Sequence, residues 1–212
     1  CPTVLKHTFA MLVCGASRAG KSPFIVKLLT YRNLMIEPQV ENVLWYSGNL
    51  QAAQHVKSEL VSKDPRSVDM IQFMEGEPNL EELTAEGTDV RRLLVLDDLY
   101  NTDNTTNKQM NSKVQELFTK LSHHNNISVI YVTQNPFIGN VNITRNATHL
   151  LLMRSVLDKS AYVHILSRHQ YASKKRGFPT AVLDDVNSEP FGYLLIDGGP
   201  TDRKSTRLNS SH

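Results

Sequence analysis

The chain has 212 residues, 40% hydrophobic and 21% charged, with 10 glycines and 9 prolines scattered along it, an ordinary globular composition for about one domain that excludes disordered, collagenous and fibrous classes. No stretch reaches the roughly 18–20 apolar residues of a membrane span, and two cysteines, Cys1 and Cys14, exclude a disulfide framework and favour a reducing, intracellular compartment. The formal net charge of +2 sits in the last eleven residues, DRKSTRLNSSH, where Arg203, Lys204 and Arg207 face Asp202; the remaining 20 basic and 20 acidic residues balance, so bulk charge excludes no partner and indicates none.

Residues 202–212 resemble a translated sequencing adapter and are set aside as a non-native tail, which leaves 1–201 as one domain expected to be truncated at both ends, Cys1 having no leader before it. The sequons at Asn104, Asn126, Asn142 and Asn146 are read as incidental in an Asn/Thr-rich intracellular chain. In chain order, TFAMLVC (8–14) predicts a buried strand ending at Gly15. From Lys21, apolar residues at Phe24, Ile25, Leu28 and Leu29 predict a helix with Pro23 in its first turn. NVLWYS (42–47) predicts a strand, 49–62 a helix with Asn49 as N-cap, and 68–75 a third strand. A short acidic helix is expected within 75–87 and a strand over 91–99. The polar stretch 100–113 reads as a mobile loop, followed by an amphipathic helix over 114–124. Strands over 127–134 and 148–155, a helix around 165–173 and a last strand at 193–196 complete the pattern. Strands alternating with helices throughout predict an α/β fold with a mainly parallel sheet and no second domain.

GASRAGKS, Gly15 to Ser22, matches G-x-x-x-x-G-K-[ST] between a predicted strand and a predicted helix. Glycines let backbone wrap a polyphosphate, and the N–H groups of Gly15, Ala16, Ser17, Arg18, Ala19, Gly20, Lys21 and Ser22 can face its oxygens. Lys21 can reach the β/γ-phosphates and the Ser22 hydroxyl can ligate Mg²⁺. LLVLDD ends a strand in Asp97 and Asp98. Acids there can simply cap the next segment, but beside a phosphate loop one suits Mg²⁺ and the other a general base. Asp97 is assigned to the metal and Asp98 to water activation, although the residue types alone permit either order. Gln134, at the tip of ISVIYVT, is placed to sense the γ-phosphate or the water. His123 and His124 point different ways on a helix end and make a poor chelate. Cys14 reads as a small core residue, and the cluster Arg168, His169, Lys174, Lys175 and Arg176 as a solvated basic turn that could also meet DNA phosphates.

With these motifs, the chain resembles the genome-packaging ATPases of large DNA viruses and of Maverick/Polinton and adintovirus elements, in the FtsK/HerA group of P-loop NTPases. The resemblance covers about residues 8–200; SHHNNISVIYVTQNPF (122–137) is its most specific segment, supported by NATHLLLMRS (146–155) and PFGYLLID (190–197). It implies a three-layer αβα domain that binds ATP and Mg²⁺, with Lys21, Asp98 and Gln134 catalytic and Ser22 and Asp97 on the metal. It also implies a homo-oligomeric ring moving double-stranded DNA into a capsid inside a host cell, with an arginine from one subunit completing the next subunit's site. Val141 and Leu157 stand where the family places arginines; Arg145 and Arg154 lie nearby, and Arg154 is the candidate for that trans role. Two other functions share a phosphate loop: a nucleoside or nucleotide kinase, whose arginine-rich lid only 168–176 could supply, and a nucleotide-binding remnant that does not hydrolyse.

Overall fold

The computed structural model describes residues 4–85, 89–99, 104–121, 126–134, 141–154, 159–168 and 177–198. His123, His124, the basic turn 169–176 and the tail 202–212 lie outside them. Nine strands form two sheets among the described residues: β1 (Leu5–Lys6), β2 (Ala10–Cys14), β3 (Ile36–Glu37), β4 (Asn42–Ser47), β5 (Ile71–Glu75), β6 (Arg92–Asp97), β7 (Ile127–Thr133), β8 (His149–Met153) and β9 (Tyr193–Asp197). The helices are α1 (Lys21–Thr30), α2 (Arg32–Met35), α3 (Leu50–Lys63), α4 (Leu80–Ala85), α5 (Asn104–Glu116), α6 (Val141–Asn146), α7 (Lys159–Arg168) and α8 (Phe178–Ser188).

Seven strands share one sheet in the order β5-β4-β6-β7-β2-β8-β9. All neighbours run parallel except β9, which is antiparallel to β8. Strand alternation divides the core in two. Met11, Val13, Trp45, Val95 and Val132 pack beneath α1 and α3 through Ile25, Leu29, Val56 and Leu60. Leu12, Tyr46, Leu96 and Tyr131 pack against the other layer through Met110 and Val114 of α5, Tyr162 of α7 and Leu183 of α8. The result is the expected three-layer αβα arrangement, and strands buried on both faces account for the near-continuous apolar runs in the sequence.

Several elements differ from the sequence reading. Residues 104–113, expected to be loop, belong to the helix α5, which runs into the helix expected from 114 and is continued by a wider π turn over Leu117–Leu121. Its residues are poor helix formers, but Met110, Val114, Leu117 and Phe118 lie on one face and are almost fully buried, so packing overrides propensity. The strand expected from 68 begins at Ile71, because Pro65–Met70 wind into a 3₁₀ turn after α3. The helix expected around 165–173 begins earlier, at Lys159; its stretch past Arg168 lies outside the described residues. The short helix α6 and the amphipathic α8 were not anticipated. Asn49 caps α3 as expected, accepting bonds from the N–H groups of Gln51 at 3.0 Å and Ala52 at 3.2 Å.

The sheet order positions the site. The chain leaves β2 toward α1 on one face, whereas the helices after β7 and β8 lie on the opposite face. The connections therefore diverge at the carboxyl end of β2, the place where open α/β sheets bind ligands.

Candidate functional site

Gly15 ends β2 in close quarters: a Cβ there would lie 2.5 Å from the Met153 Cβ, so only glycine lets the loop leave the sheet at this point. The loop then turns tightly, with the Ala19 N–H bonded to the Ala16 carbonyl at 3.2 Å. Arg18 and Gly20 are both in the left-handed region, with φ of 63° and 100°. Such turns direct successive N–H groups to one side, which is how backbone makes an anion-binding concavity. Gly20 precedes α1 without a side-chain cap, so no side chain of the cap residue covers the positive end of the helix. Ala16, Ser17 and Arg18 are exposed; Ala19, Gly20, Lys21 and Ser22 are half-buried.

Lys21 folds across this loop. Its ammonium donates to the carbonyls of Gly15 at 2.6 Å and Ala16 at 2.8 Å. Burial lowers its pKa, while the negative charges of Asp98 and Asp97 push it back up. The lysine and both aspartates therefore share one electrostatic neighbourhood, although the aspartates come from a strand two positions away in the sheet.

Asp97 ends β6 and is 8% exposed. Burial, and then repulsion from Asp98, raise its carboxyl from the usual 3.8 to about 6; Lys21 and the Trp45 indole offset part of that rise. Trp45 lies diagonally across from Asp97 on the same sheet face, since Trp45 pairs with Val95 and Ser47 with Asp97. Its indole N–H is turned toward the carboxylate without reaching hydrogen-bond geometry: Nε1 is buried with no partner at bonding distance. The contact is a weak electrostatic one. Trp45 is held there by stacking on Phe73, ring centroids 5.7 Å apart.

Asp98 leaves the strand at φ 49° and is exposed. Its carboxylate accepts a bond from the Gln134 amide, 3.2 Å to Oδ2 and 3.5 Å to Oδ1. Gln134 follows β7, the strand between β2 and β6, so the sheet itself brings the amide between phosphate loop and acids. Gly48, at the tip of β4, completes this corner. A Cβ on Gly48 would lie 2.7 Å from the Asp98 carbonyl oxygen, and the Gly48 N–H reaches the Asp97 carbonyl at 3.4 Å.

Thus residues 15–22, Asp97, Asp98 and Gln134 meet at one end of the sheet. Arg154 does not join them: it ends β8, on the far side of β2 from the acids, with its backbone N–H bonded to the Gly192 carbonyl at 2.8 Å. Arg145 is exposed on α6. Cys14 is fully buried, with its thiol 3.9 Å from the Gln134 carbonyl and the Tyr162 hydroxyl 3.8 Å from its sulfur. The sequence reading missed Gly48 and Trp45. A Ser-Gly pair after an apolar strand signalled a turn at 47–48, but nothing in the chain signalled that Gly48 faces Asp98.

No family model matches the chain, and no curated protein matches it. Solved structures do. The DNA-packaging ATPase B204 from Sulfolobus turreted icosahedral virus superposes with a TM-score of 0.57 at 14% identity, over 89% of this chain and 92% of that one. The genome packaging NTPase B204 from Sulfolobus turreted icosahedral virus 2, in complex with ATP-gammaS, gives 0.52 at 13% identity over 90% and 92%. EssC (ATPases 2 and 3) from Geobacillus thermodenitrificans gives 0.52 at 12% identity, over 77% of this chain and 35% of that longer one. At such identities the likeness is one of fold alone, the three-layer αβα arrangement described above.

Proposed function

We propose that the chain is an ATP-hydrolysing motor that moves double-stranded DNA, working as a homo-oligomeric ring inside a host cell to package a viral or Maverick/Polinton-like genome into capsids. One observation carries the reading: the phosphate loop, two acids and a polar amide converge from three neighbouring strands, with the amide bonded to the acid assigned to the water. Phosphoryl transfer calls mainly for positioning and electrostatic stabilisation, and this arrangement supplies both.

The loop N–H groups and the α1 N-terminus would receive the β- and γ-phosphates, with Lys21 exchanging its two loop carbonyls for phosphate oxygens. Mg²⁺ fits the residues present, because Asp97 and Asp98 crowd each other's charge in a half-dry corner where a divalent cation relieves the repulsion. Asp97 and Ser22 would hold it, and when bound it neutralises phosphate charge. Asp98, exposed and oriented by Gln134, would take the proton of the attacking water. Gln134 touches that base and follows the strand that borders the phosphate loop, which suits a residue relaying nucleotide state to subunit position. Arg154, away from its own subunit's acids, is free of a cis role at the γ-phosphate and suits a contact with a neighbouring site.

The test is steady-state ATP hydrolysis by the full chain with and without double-stranded DNA, beside Lys21→Ala and Asp98→Asn. Turnover stimulated by DNA and lost in both variants is the expected result. Hydrolysis that persists in Lys21→Ala refutes the assignment; phosphorylation of nucleosides in its place identifies a kinase, and tight binding without turnover identifies a non-hydrolysing remnant.

A further inference from the structure

Phe191 is a large aromatic residue held in the open at the rim of the phosphate loop. Its side chain is 65% exposed, and its backbone sits at φ 61°, a conformation bulky residues rarely adopt. It touches the loop: a Cβ on Gly20 would come 3.2 Å from the Phe191 Cδ1. The surrounding structure fixes it from both sides. Gly192 permits no side chain, since a Cβ there would lie 2.1 Å from the Val186 carbonyl oxygen, and its own carbonyl is bonded by the Arg154 N–H. The next residue, Tyr193, packs edge-on against Phe24 in the first turn of α1, centroids 5.4 Å apart.

The sheet order gives this placement a direction. Asp97, Asp98 and Gln134 lie on the β6–β7 side of β2, and Phe191 lies on the β8–β9 side. A nucleoside triphosphate that lies across the loop with its terminal phosphate at the acids and its other end away from them would bring its base to the side on which Phe191 borders Gly20. An exposed, pre-oriented ring at that point offers a flat apolar face to a flat base, and strain at a residue with no buried role marks a site shaped for a ligand.

We propose that Phe191 is the platform on which the base of the bound nucleotide stacks. The assignment rests on the phosphate-loop reading above and goes beyond it by naming what recognises the other end of the substrate. Stacking of a base on an aromatic side chain is worth roughly a five- to hundred-fold change in affinity on truncation to alanine.

Calorimetric titration of the full chain with ATPγS and with inorganic tripolyphosphate, both with Mg²⁺, separates the two ends of the ligand. Phe191→Ala should weaken ATPγS by about ten-fold or more and leave tripolyphosphate binding unchanged, while Phe191→Trp should keep ATPγS affinity and show its indole fluorescence quenched on binding. Unchanged ATPγS affinity in Phe191→Ala overturns the platform, including the case in which only self-association is lost. Equal weakening of ATPγS and tripolyphosphate also overturns it, since Phe191 would then merely support the loop. Lys21→Ala distinguishes the failures: full affinity for both ligands there removes the phosphate-loop reading and the platform with it, whereas loss there beside full ATPγS affinity in Phe191→Ala removes the platform alone.

Discussion

Replacing Asp97 by asparagine should stabilise the fold while destroying activity, and the stabilisation should depend on pH in a prescribed way. The side chain is 8% exposed, and its carboxyl is raised from 3.8 to about 6, chiefly by burial and next by Asp98. At 1.36 kcal/mol per pKa unit this corresponds to about 3 kcal/mol of penalty for keeping Asp97 charged in the folded chain. A raised carboxyl means that the folded state binds the proton more tightly than the unfolded one. Stability from this group is therefore complete below pH 3.8 and is lost as pH rises through about 6. Asparagine resembles the protonated acid at every pH. In urea melts without divalent cations, Asp97→Asn should exceed the parent by about 3 kcal/mol at pH 8 and by roughly half that at pH 5, with the gap closing toward pH 4. In an Asp98→Asn background the pH 8 gap should shrink, because one of its two causes is gone. A gap that stays constant with pH, or a variant less stable than the parent at pH 8, would refute the buried-charge account. Excess Mg²⁺ with nucleotide should stabilise the parent and not the variant.

Three further outcomes follow from particular contacts. Gly48→Ala should cost about 1–3 kcal/mol in urea melts and sharply reduce turnover, because its Cβ would lie 2.7 Å from the Asp98 carbonyl oxygen and must displace the residue assigned to the water. Gln134→Ala removes the 3.2 Å bond that orients Asp98 and should lower kcat on the order of a hundred-fold, with ATPγS affinity unchanged in calorimetry. Asn49→Ala removes the α3 cap and should lower Tm by about 2–4 °C, the cost of about 1 kcal/mol.

The strand cores and the glycine-marked turn between β2 and α1 were legible because their signals are local. Buried parallel strands require unbroken apolar runs, and a turn that leaves the sheet beside Met153 and passes through φ 100° requires glycine at 15 and 20. Helix α5 was not legible over 104–113, because its Asn- and Thr-rich residues favour turns and only Met110 in that stretch shows the apolar stripe that Val114 and Phe118 continue. Helix α8 carried a usable signal that was passed over: Gly177 and Pro179 at its start, then Val182, Leu183 and Val186 at helical spacing. The corner made by Gly48 and Asp98 depends on two strand tips meeting across the sheet, and the exposure of Phe191 depends on a turn braced by Val186 and Arg154. Contacts of this kind are set by topology and leave no periodic trace in the chain.

The position of β2 also dictates when the site can exist during synthesis. Ala10 pairs with Val129 and Leu12 with Leu150, so the strand that seats the phosphate loop emerges from the ribosome long before either of its neighbours. Until β7 has emerged AMLVC has no neighbour to pair with, and until β8 follows it is paired along one edge only. The closing pairings join segments over a hundred residues apart, which makes them slow to find and leaves an apolar strand waiting in the meantime. A nascent chain arrested within α5 would carry the whole GASRAGKS segment and the LLVLDD strand yet bind no nucleotide, so ligand binding reports completion of the sheet and not merely the presence of the motif.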